Sequence, residues 1–365
     1  MTLKILHVND HGLSVPRILN SAKTAKEQGN QVFFCGSSLY SYLSNSIFDK
    51  TFDIGWTNKK WLWIKWRAIK KQLKHVLDEI RPDIIHAHNV FAAKVVSEFD
   101  YPFIMDDHEL FSLEFKASMY HTFSAVVPDA QFRLASFMCA RWEKSIAERA
   151  PIITISEEIA KVYRMLTSRV FLVPNFPASN DIPNPTSINH ARPEDISSAY
   201  LGADTEENPH QFRDITGLHD TFRKSNEIGK LVNIGINRPT EENISSLGFL
   251  PLNEAYQSLQ NRCHIGLIPW KPHWFHKYCS PSKAFEYAHC GLYVMVTHQL
   301  DEVANTLGPH CTTFRDYSEL ADNLKYFKEH TEELNEKRKS ALEFAKKNLI
   351  WEKYEQNVLD AYKCC

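Results

Sequence analysis

Glycine is scarce in this chain, 12 of 365 residues, or about 3% where roughly 7% is usual. No G-x-G-x-x-G follows an apolar run and no P-loop pattern occurs, which removes the dinucleotide and P-loop signatures. Long hydrophobic runs are missing too. No window approaches 18 uncharged apolar residues, so no membrane span is predicted. Cys-x-x-Cys is absent, and the eight cysteines at 35, 139, 263, 279, 290, 311, 364 and 365 are scattered apart from the terminal pair. Buried thiols in a reducing cytosol are the expectation. An Asp-x-Asp pair for a metal-bound diphosphate is also lacking; Asp106 and Asp107 are adjacent and would point apart on a strand. Neither sign of charge dominates. The 42 basic and 44 acidic residues leave a net charge of −2, which argues against a dedicated nucleic-acid binder. With 43% hydrophobic and 24% charged residues, disorder, collagen and a coiled coil are excluded.

What is present is an alternation. Short apolar runs at Lys4–Val8, Gln31–Cys35, Ile84–His88, Pro102–Met105, Pro151–Ile155 and Val170–Val173 are separated by helical patterns such as Ser14–Gln28. Runs without polar alternation suit strands buried on both faces of a parallel sheet. The opening Met1–Asp10 segment has too short an apolar run for a signal peptide and reads as a first strand of a cytoplasmic protein. Pro174, Pro177, Pro183, Pro185 and Pro193 then give a linker composition. Afterwards the alternation resumes at Ala199–Gly202, Lys230–Gly235, His264–Pro269 and Tyr293–Val296, and the end is helical, with Trp351, Tyr354, Val358, Leu359 and Tyr362 on one face. The expected fold class is α/β, with two Rossmann-like doubly wound domains. The expected bounds are 1–178, a linker over 179–195, 196–344, and a C-terminal helix over 345–365 that crosses back to the first domain.

The segment Ile268-Pro269-Trp270, then Ser280-Pro281-Ser282-Lys283-Ala284-Phe285-Glu286-Tyr287, carries the chemistry. Ser280 is predicted as N-cap, Pro281 as the first helical residue and Gly291 as the stop. A helix N-terminus beyond a strand end offers free N–H groups and a dipole to an anion without a glycine loop. Lys283 adds charge, and Glu286 one turn on can accept two hydrogen bonds from a sugar diol. On the residues alone, a nucleotide-diphosphate site and an ordinary capped helix with a solvent-facing Glu both stand. The histidines His264, His273, His276 and His289 nearby match no zinc template and read as polar surface.

The order strand-end proline, Pro-Ser-Lys-x-x-Glu-Tyr, Gly, strand resembles the donor segment of retaining glycosyltransferases of family 4, which have the GT-B fold. Arg81-Pro82-Asp83-Ile84-Ile85-His86-Ala87-His88, Asp106-Asp107-His108-Glu109-Leu110, Thr154-Ile155-Ser156-Glu157, Val173-Pro174-Asn175 and Leu247-Gly248-Phe249-Leu250 are similar to further segments of that family, in the same order. The resemblance implies a nucleotide-sugar donor and a cleft between the domains. It places Glu286 on the ribose, Gly248 and Phe249 at the base, Lys283, Ser282 and Arg213 at the diphosphate, and His108 at the transferred sugar. The first-helix loop with His11 and Gly12 would face the acceptor. The chain departs from the family at Tyr278, where a first glutamate is usual, and at Thr216-Gly217-Leu218, where a lysine is missing. Retention without a protein nucleophile, no metal and no cofactor are expected. A catalytically inactive GT-B relative acting as a scaffold or nucleotide-sugar binder, and a GT-B sugar-nucleotide epimerase, are the alternatives.

Residues 59–74 hold seven cations and no acid. Lys59, Trp63, Arg67, Lys70 and Lys74 share one helical face, a pattern that fits an anionic membrane surface. Residues 1–178 carry 22 basic and 18 acidic side chains, the remainder 20 and 26. The resemblance gives the acceptor to the N-terminal half, so a glycan or a lipid-linked acceptor at the cytoplasmic face of a membrane is expected, with an anionic soluble glycan and a merely solvated basic face as the alternatives.

Overall fold

The computed structural model describes every residue except 1, 11–15, 38–46, 57–61, 121–125, 184, 186, 187 and 204–210, and only the backbone of 62–65. The chain divides into two units. One holds Met1–Lys116, Val126–Asn175 and Lys353–Cys365; the other holds Ala117–Ala125 and Phe176–Glu352.

The first unit is built on seven parallel strands: β1 Lys4–Asn9, β2 Gln31–Gly36, β3 Lys50–Asp53, β4 Ile84–His88, β5 Phe103–Asp107, β6 Ile152–Thr154 and β7 Val170–Leu172. Their order is β3-β2-β1-β4-β5-β6-β7. Ile5, Leu6, Val8, Val32, Ile85 and Ile104 are buried, as strands covered by helices on both faces require. The chain runs outward from β1 to β3 and then returns to start β4 beside β1, so the switch point lies between β1 and β4. His7 pairs opposite His86 and Asn9 opposite His88 across that point, and His88 pairs opposite Asp106.

The second unit repeats the scheme with β8 Ser197–Leu201, β9 Lys230–Ile234, β10 Ile244–Ser246, β11 Ile265–Ile268, β12 Tyr293–Thr297 and β13 Cys311–Phe314. The order is β10-β9-β8-β11-β12-β13, all parallel. Its switch point lies between β8 and β11. Helix Ser282–His289 crosses between β11 and β12. Tyr287 on that helix packs so closely on Gly266 of β11 that a Cβ there would come within 2.4 Å of the ring. Its hydroxyl accepts from the Leu201 N–H at 2.7 Å.

The proline-bearing stretch 179–195 belongs to the second unit, pinned there by Arg338. The buried guanidinium donates to the Asn189 carbonyl at 2.7 Å, the Asn189 side chain at 2.6 Å and the Gly291 carbonyl at 2.9 Å.

The chain re-enters the first unit at Lys353. There helix Glu355–Lys363 packs on helix Pro16–Glu27 and on β7. The single apolar face predicted across Trp351 to Tyr362 is broken. Helix Thr331–Asn348 ends, a short turn follows at Trp351–Lys353, and a new helix begins. Trp351 is buried in one unit, while Val358 and Tyr362 are buried in the other. No described helix is long and apolar enough to cross a membrane.

Candidate functional site

Three of the few glycines stand together at the carboxyl ends of the second sheet. Gly202 follows β8, Gly235 follows β9 and Gly248 follows β10. The Gly235 N–H donates to the Gly248 carbonyl at 2.7 Å, and the Gly202 N–H to the Ile234 carbonyl at 2.9 Å. Gly235 sits at φ +97°, and a Cβ there would lie 2.7 Å from the Gly202 carbonyl oxygen. A side chain at Gly202 would meet the Tyr200 hydroxyl at 2.9 Å and Lys283 Nζ at 3.0 Å. At Gly235, where the contact is with backbone and φ is positive, bare backbone is therefore a steric requirement. Gly248 was expected here; Gly202 and Gly235, each directly after an apolar strand run, were not singled out.

Two cations face this backbone over one indole. Lys283 Nζ lies 5.3 Å from the Tyr200 ring centre and 5.6 Å from that of Trp270. Arg213 Cζ lies 5.4 Å from Phe212 and 5.7 Å from the same Trp270 ring. The ring quadrupoles attract each cation by about 0.5–2 kcal/mol. The Lys283 charge also acts on the Glu286 carboxyl. The loop carrying Arg213 is held by a hydrogen bond from His276 Nε2 to the Phe212 carbonyl at 2.6 Å and by Lys271 N–H to the Asp214 carbonyl at 2.7 Å. Sequence reasoning quoted Trp270 without giving it a role and did not single out Tyr200; both lie at strand ends beside the switch point.

Helix Ser282–His289 begins one residue later than predicted. Pro281 rather than Ser280 occupies the N-cap position, and no side chain caps the first turn. Pro281 has an extended backbone there and, as a proline, offers no side-chain acceptor of its own to the leading N–H groups. Ser282 opens the helix on its exposed side, and Glu286 follows one turn on, partly exposed. Burial pushes the Glu286 carboxyl above its ordinary value, and the Ser282 hydroxyl and the Lys283 charge pull it part of the way back. Phe249 is 73% exposed, next to buried Gly248 at φ +64°. Tyr278 stacks near Phe275 and under Lys277, with ring centre to Nζ at 4.8 Å.

The histidines expected on the polar surface are mostly interior. His264, His276 and His289 are buried. His264 Nδ1 accepts from the Ser197 N–H at 3.2 Å, and His289 Nε2 donates to the Leu349 carbonyl at 2.9 Å. Each satisfies a backbone group, and burial lowers all three. His276 falls to about 4. Only His273 is partly open, its Nδ1 accepting from the Phe275 N–H.

In the first unit the switch point is occupied by imidazoles. His86 and His88 lie two apart on β4, and their rings stack at 4.3 Å. His7 on β1 approaches both, at 4.8 and 5.3 Å between centres. His7 Nδ1 is 3.0 Å from His88 Nε2, and His88 Nδ1 is 3.3 Å from Nε2 of His108, the partly exposed outer member. Asp106 anchors the group. Its Oδ2 lies 3.4 Å from His86 Nε2 and 3.5 Å from both His88 Nδ1 and His108 Nε2. Arg17 donates to both Asp106 oxygens at 2.8–2.9 Å and to the Val173 carbonyl at 2.6 Å. Against burial, which favours the neutral acid, Arg17 and His108 hold the Asp106 carboxyl well below its ordinary value. Burial and the neighbouring rings keep His7 and His88 far below theirs, so both are neutral near pH 7. Tyr362 closes the back, its hydroxyl 2.8 Å from His86 Nδ1. Arg17 carried no sequence signal, because its partner lies 89 residues away.

Asp107 points the other way on β5. It accepts from the Tyr163 hydroxyl at 2.7 Å, beside Glu143, which accepts from the Ser112 N–H at 2.9 Å. Burial, then the Glu143 charge, pushes Asp107 well above the carboxylate range.

Two trios, His7–His86–His88 and His88–Asp106–His108, bring ligand-type atoms within 4.8 Å of one another. Arg17 already neutralises Asp106 and bonds both its oxygens, which weakens that carboxylate as a metal ligand. Of the remaining predicted residues, His11, Gly12 and Lys59, and the side chain of Trp63, lie outside the described residues. Arg67 is exposed; Lys70 is paired with Glu98 and Lys74 with Asp78.

Two parallel doubly wound sheets with flanking helices make the GT-B fold of glycosyltransferases. The chain is similar to the sucrose-phosphate synthase of Thermosynechococcus elongatus, with 13% identity, TM-score 0.76, and 99% of this chain and 98% of that chain covered. It is similar to Anabaena HepE in complex with UDP-glucose, with 14% identity, TM-score 0.71, and both chains covered in full at 100%. Arabidopsis thaliana UGT89C1, complexed with quercetin, has 13% identity and TM-score 0.52 over 99% of this chain and 100% of that chain. Residues 218–360 match the family model described as glycosyl transferase-like. That stretch includes Gly248, Phe249, Ser282, Lys283 and Glu286. No curated protein matches the chain significantly in sequence.

Proposed function

We propose that the protein is a glycosyltransferase that moves a sugar from a nucleotide-diphosphate donor to a glycan or lipid-linked acceptor. The observation that carries this reading is the pair Lys283 and Arg213 over Trp270, beside an uncapped helix start and a glycine-lined sheet end. Cations, free N–H groups and close backbone suit a diphosphate. Glu286, one turn further, suits the ribose hydroxyls, and the exposed Phe249 with the Gly248 backbone suits the base. HepE, one of the similar structures, is in complex with UDP-glucose, which supports a donor of this class.

His108 would act at the transferred sugar. It is the one member of the imidazole cluster that is partly exposed, and Asp106 and His88 fix its ring. The family resemblance supports net retention: the diphosphate would leave from the face that the acceptor attacks, with Lys283 and Arg213 neutralising it. Neither step draws on a metal or a cofactor in this reading. The work of the site is then positioning and charge stabilisation. The expected place of action is the cytoplasmic side of a membrane.

A thermal-shift screen with UDP-, GDP- and ADP-sugars tests the donor assignment. One nucleotide series is expected to raise the melting temperature, and transfer from its sugar is expected to fall about 100-fold in Glu286→Ala, as loss of a charged hydrogen-bonding pair implies. Undiminished transfer in that variant would overturn the donor site. A shift without any transfer or hydrolysis would favour the catalytically inactive relative, and conversion of the sugar without transfer would favour the epimerase.

A further inference from the structure

Helix Val126–Ala147 in the first unit turns its amphipathic pattern inside out. Val126, Val127, Leu134 and Phe137 are 60%, 67%, 55% and 59% exposed. Val126, Ala130, Leu134, Phe137, Arg141 and Lys144 follow one another at spacings of three and four, so they form one stripe along the helix. At 1.5 Å per residue that helix is about 33 Å long. The inner face is accounted for: Cys139, Ile146 and Ala147 are buried, and Trp142 packs on Trp66 at 5.2 Å and on Phe91 at 6.3 Å.

The charges are sorted by face. The two acids of the helix, Asp129 and Glu143, are both buried. Arg133, Arg141 and Lys144 are exposed, and no described carboxylate forms an ion pair with any of them. Arg141 lies over the Phe137 ring at 5.8 Å. The first exposed acid on the stripe, Glu148, comes after the helix has ended. Exposed aliphatic and aromatic groups followed by unpaired cations of one sign match an acyl–headgroup boundary carrying negative charge. A parallel contact through the stripe with a second copy of this chain would set the cations Arg141 and Lys144 against each other.

We propose that helix Val126–Ala147 is a docking surface for an anionic phospholipid bilayer, with Leu134 and Phe137 entering the interface and Arg133, Arg141 and Lys144 on the headgroups. This moves the membrane contact away from the basic face of helix Leu62–Ile80, where Lys70 and Lys74 are paired with Glu98 and Asp78. It stands independently of the donor-site reading.

Flotation of the full chain with phosphatidylcholine vesicles, with and without phosphatidylglycerol, tests it. Binding is expected only with phosphatidylglycerol and is expected to weaken as salt rises. Arg141→Gln and Lys144→Gln should each lower partitioning about fivefold, and Leu134→Ser or Phe137→Ser at least about tenfold. Lys70→Gln should leave it unchanged. Thermal melts equal to the parent's would show that the surface variants fold. No flotation at low salt, or flotation indifferent to the four helix substitutions, would overturn the proposal. So would light scattering that shows a dimer dissociated by Phe137→Ser. The nucleotide-sugar melting shift reads the donor site separately, so failure of one reading does not imply failure of the other.

Discussion

The two units share a strand order over six strands, to which the first adds β7, and they fill their switch points in different ways. In the first, the carboxyl ends of β1, β4 and β5 are packed with four imidazoles around an ion pair, Arg17–Asp106, that is almost wholly buried. In the second, the ends of β8 and β11 carry glycine backbone, an indole and two cations, one of which, Lys283, acts on the Glu286 carboxyl. One switch point has its charge balanced from within. A shared strand order thus carries an imidazole cluster around an ion pair in one unit and glycine backbone with two cations over an indole in the other.

Removing charge should break the first region and spare the second. Arg17→Met leaves Asp106 buried without its partner and is expected to cost about 3–5 kcal/mol in urea unfolding. A loss under 1 kcal/mol would contradict the ion pair's role. An intermediate effect is expected from Asp107→Asn, visible only as a function of pH. Asp107 has a raised value in the fold, so the stability it brings is present at low pH and is lost as pH rises through that raised value. Asn keeps the neutral form and should flatten that decline. Its neighbour Asp106 has a depressed value and the opposite sign: its stability is present above the ordinary carboxylate range and is lost as pH falls through the depressed value. Parallel pH profiles for the parent and Asp107→Asn would show that Asp107 is ionised in the fold. The smallest change belongs to the second region, where Lys283→Met should alter stability by no more than about 0.5 kcal/mol.

How much of this was legible depended on burial and on distance along the chain. The interior strands announced themselves as continuous apolar runs. The strands that sequence reasoning missed, β3, β10 and β13, are all sheet edges, short and partly exposed, so no such run exists in Lys50–Asp53, Ile244–Ser246 or Cys311–Phe314. In helix Ser282–His289, the nearness of Lys283 and Glu286 was readable because less than one helix turn separates them. Trp270 and Tyr200 were not, because their role arises only where β8 and β11 meet. Arg17, His7 and Tyr362 come from three distant stretches, and nothing local marks them as partners of Asp106 or His86. In the basic run at 59–74, Lys70 is paired with Glu98, an acid that lies far along the sequence and that no local pattern could connect to it.

The glycine shortage takes on a different meaning beside this geometry. Gly202, Gly235 and Gly248 are concentrated at one sheet end, so a phosphate site can be built from few glycines if cations and a helix start do the rest.

Calorimetric titration of the nucleoside diphosphate preferred in the melting screen, into the parent, Lys283→Met and Arg213→Met, tests that central claim most directly. The account predicts affinity about tenfold weaker in each variant, with melting temperatures of the free proteins unchanged. Equal affinity in all three proteins would contradict it.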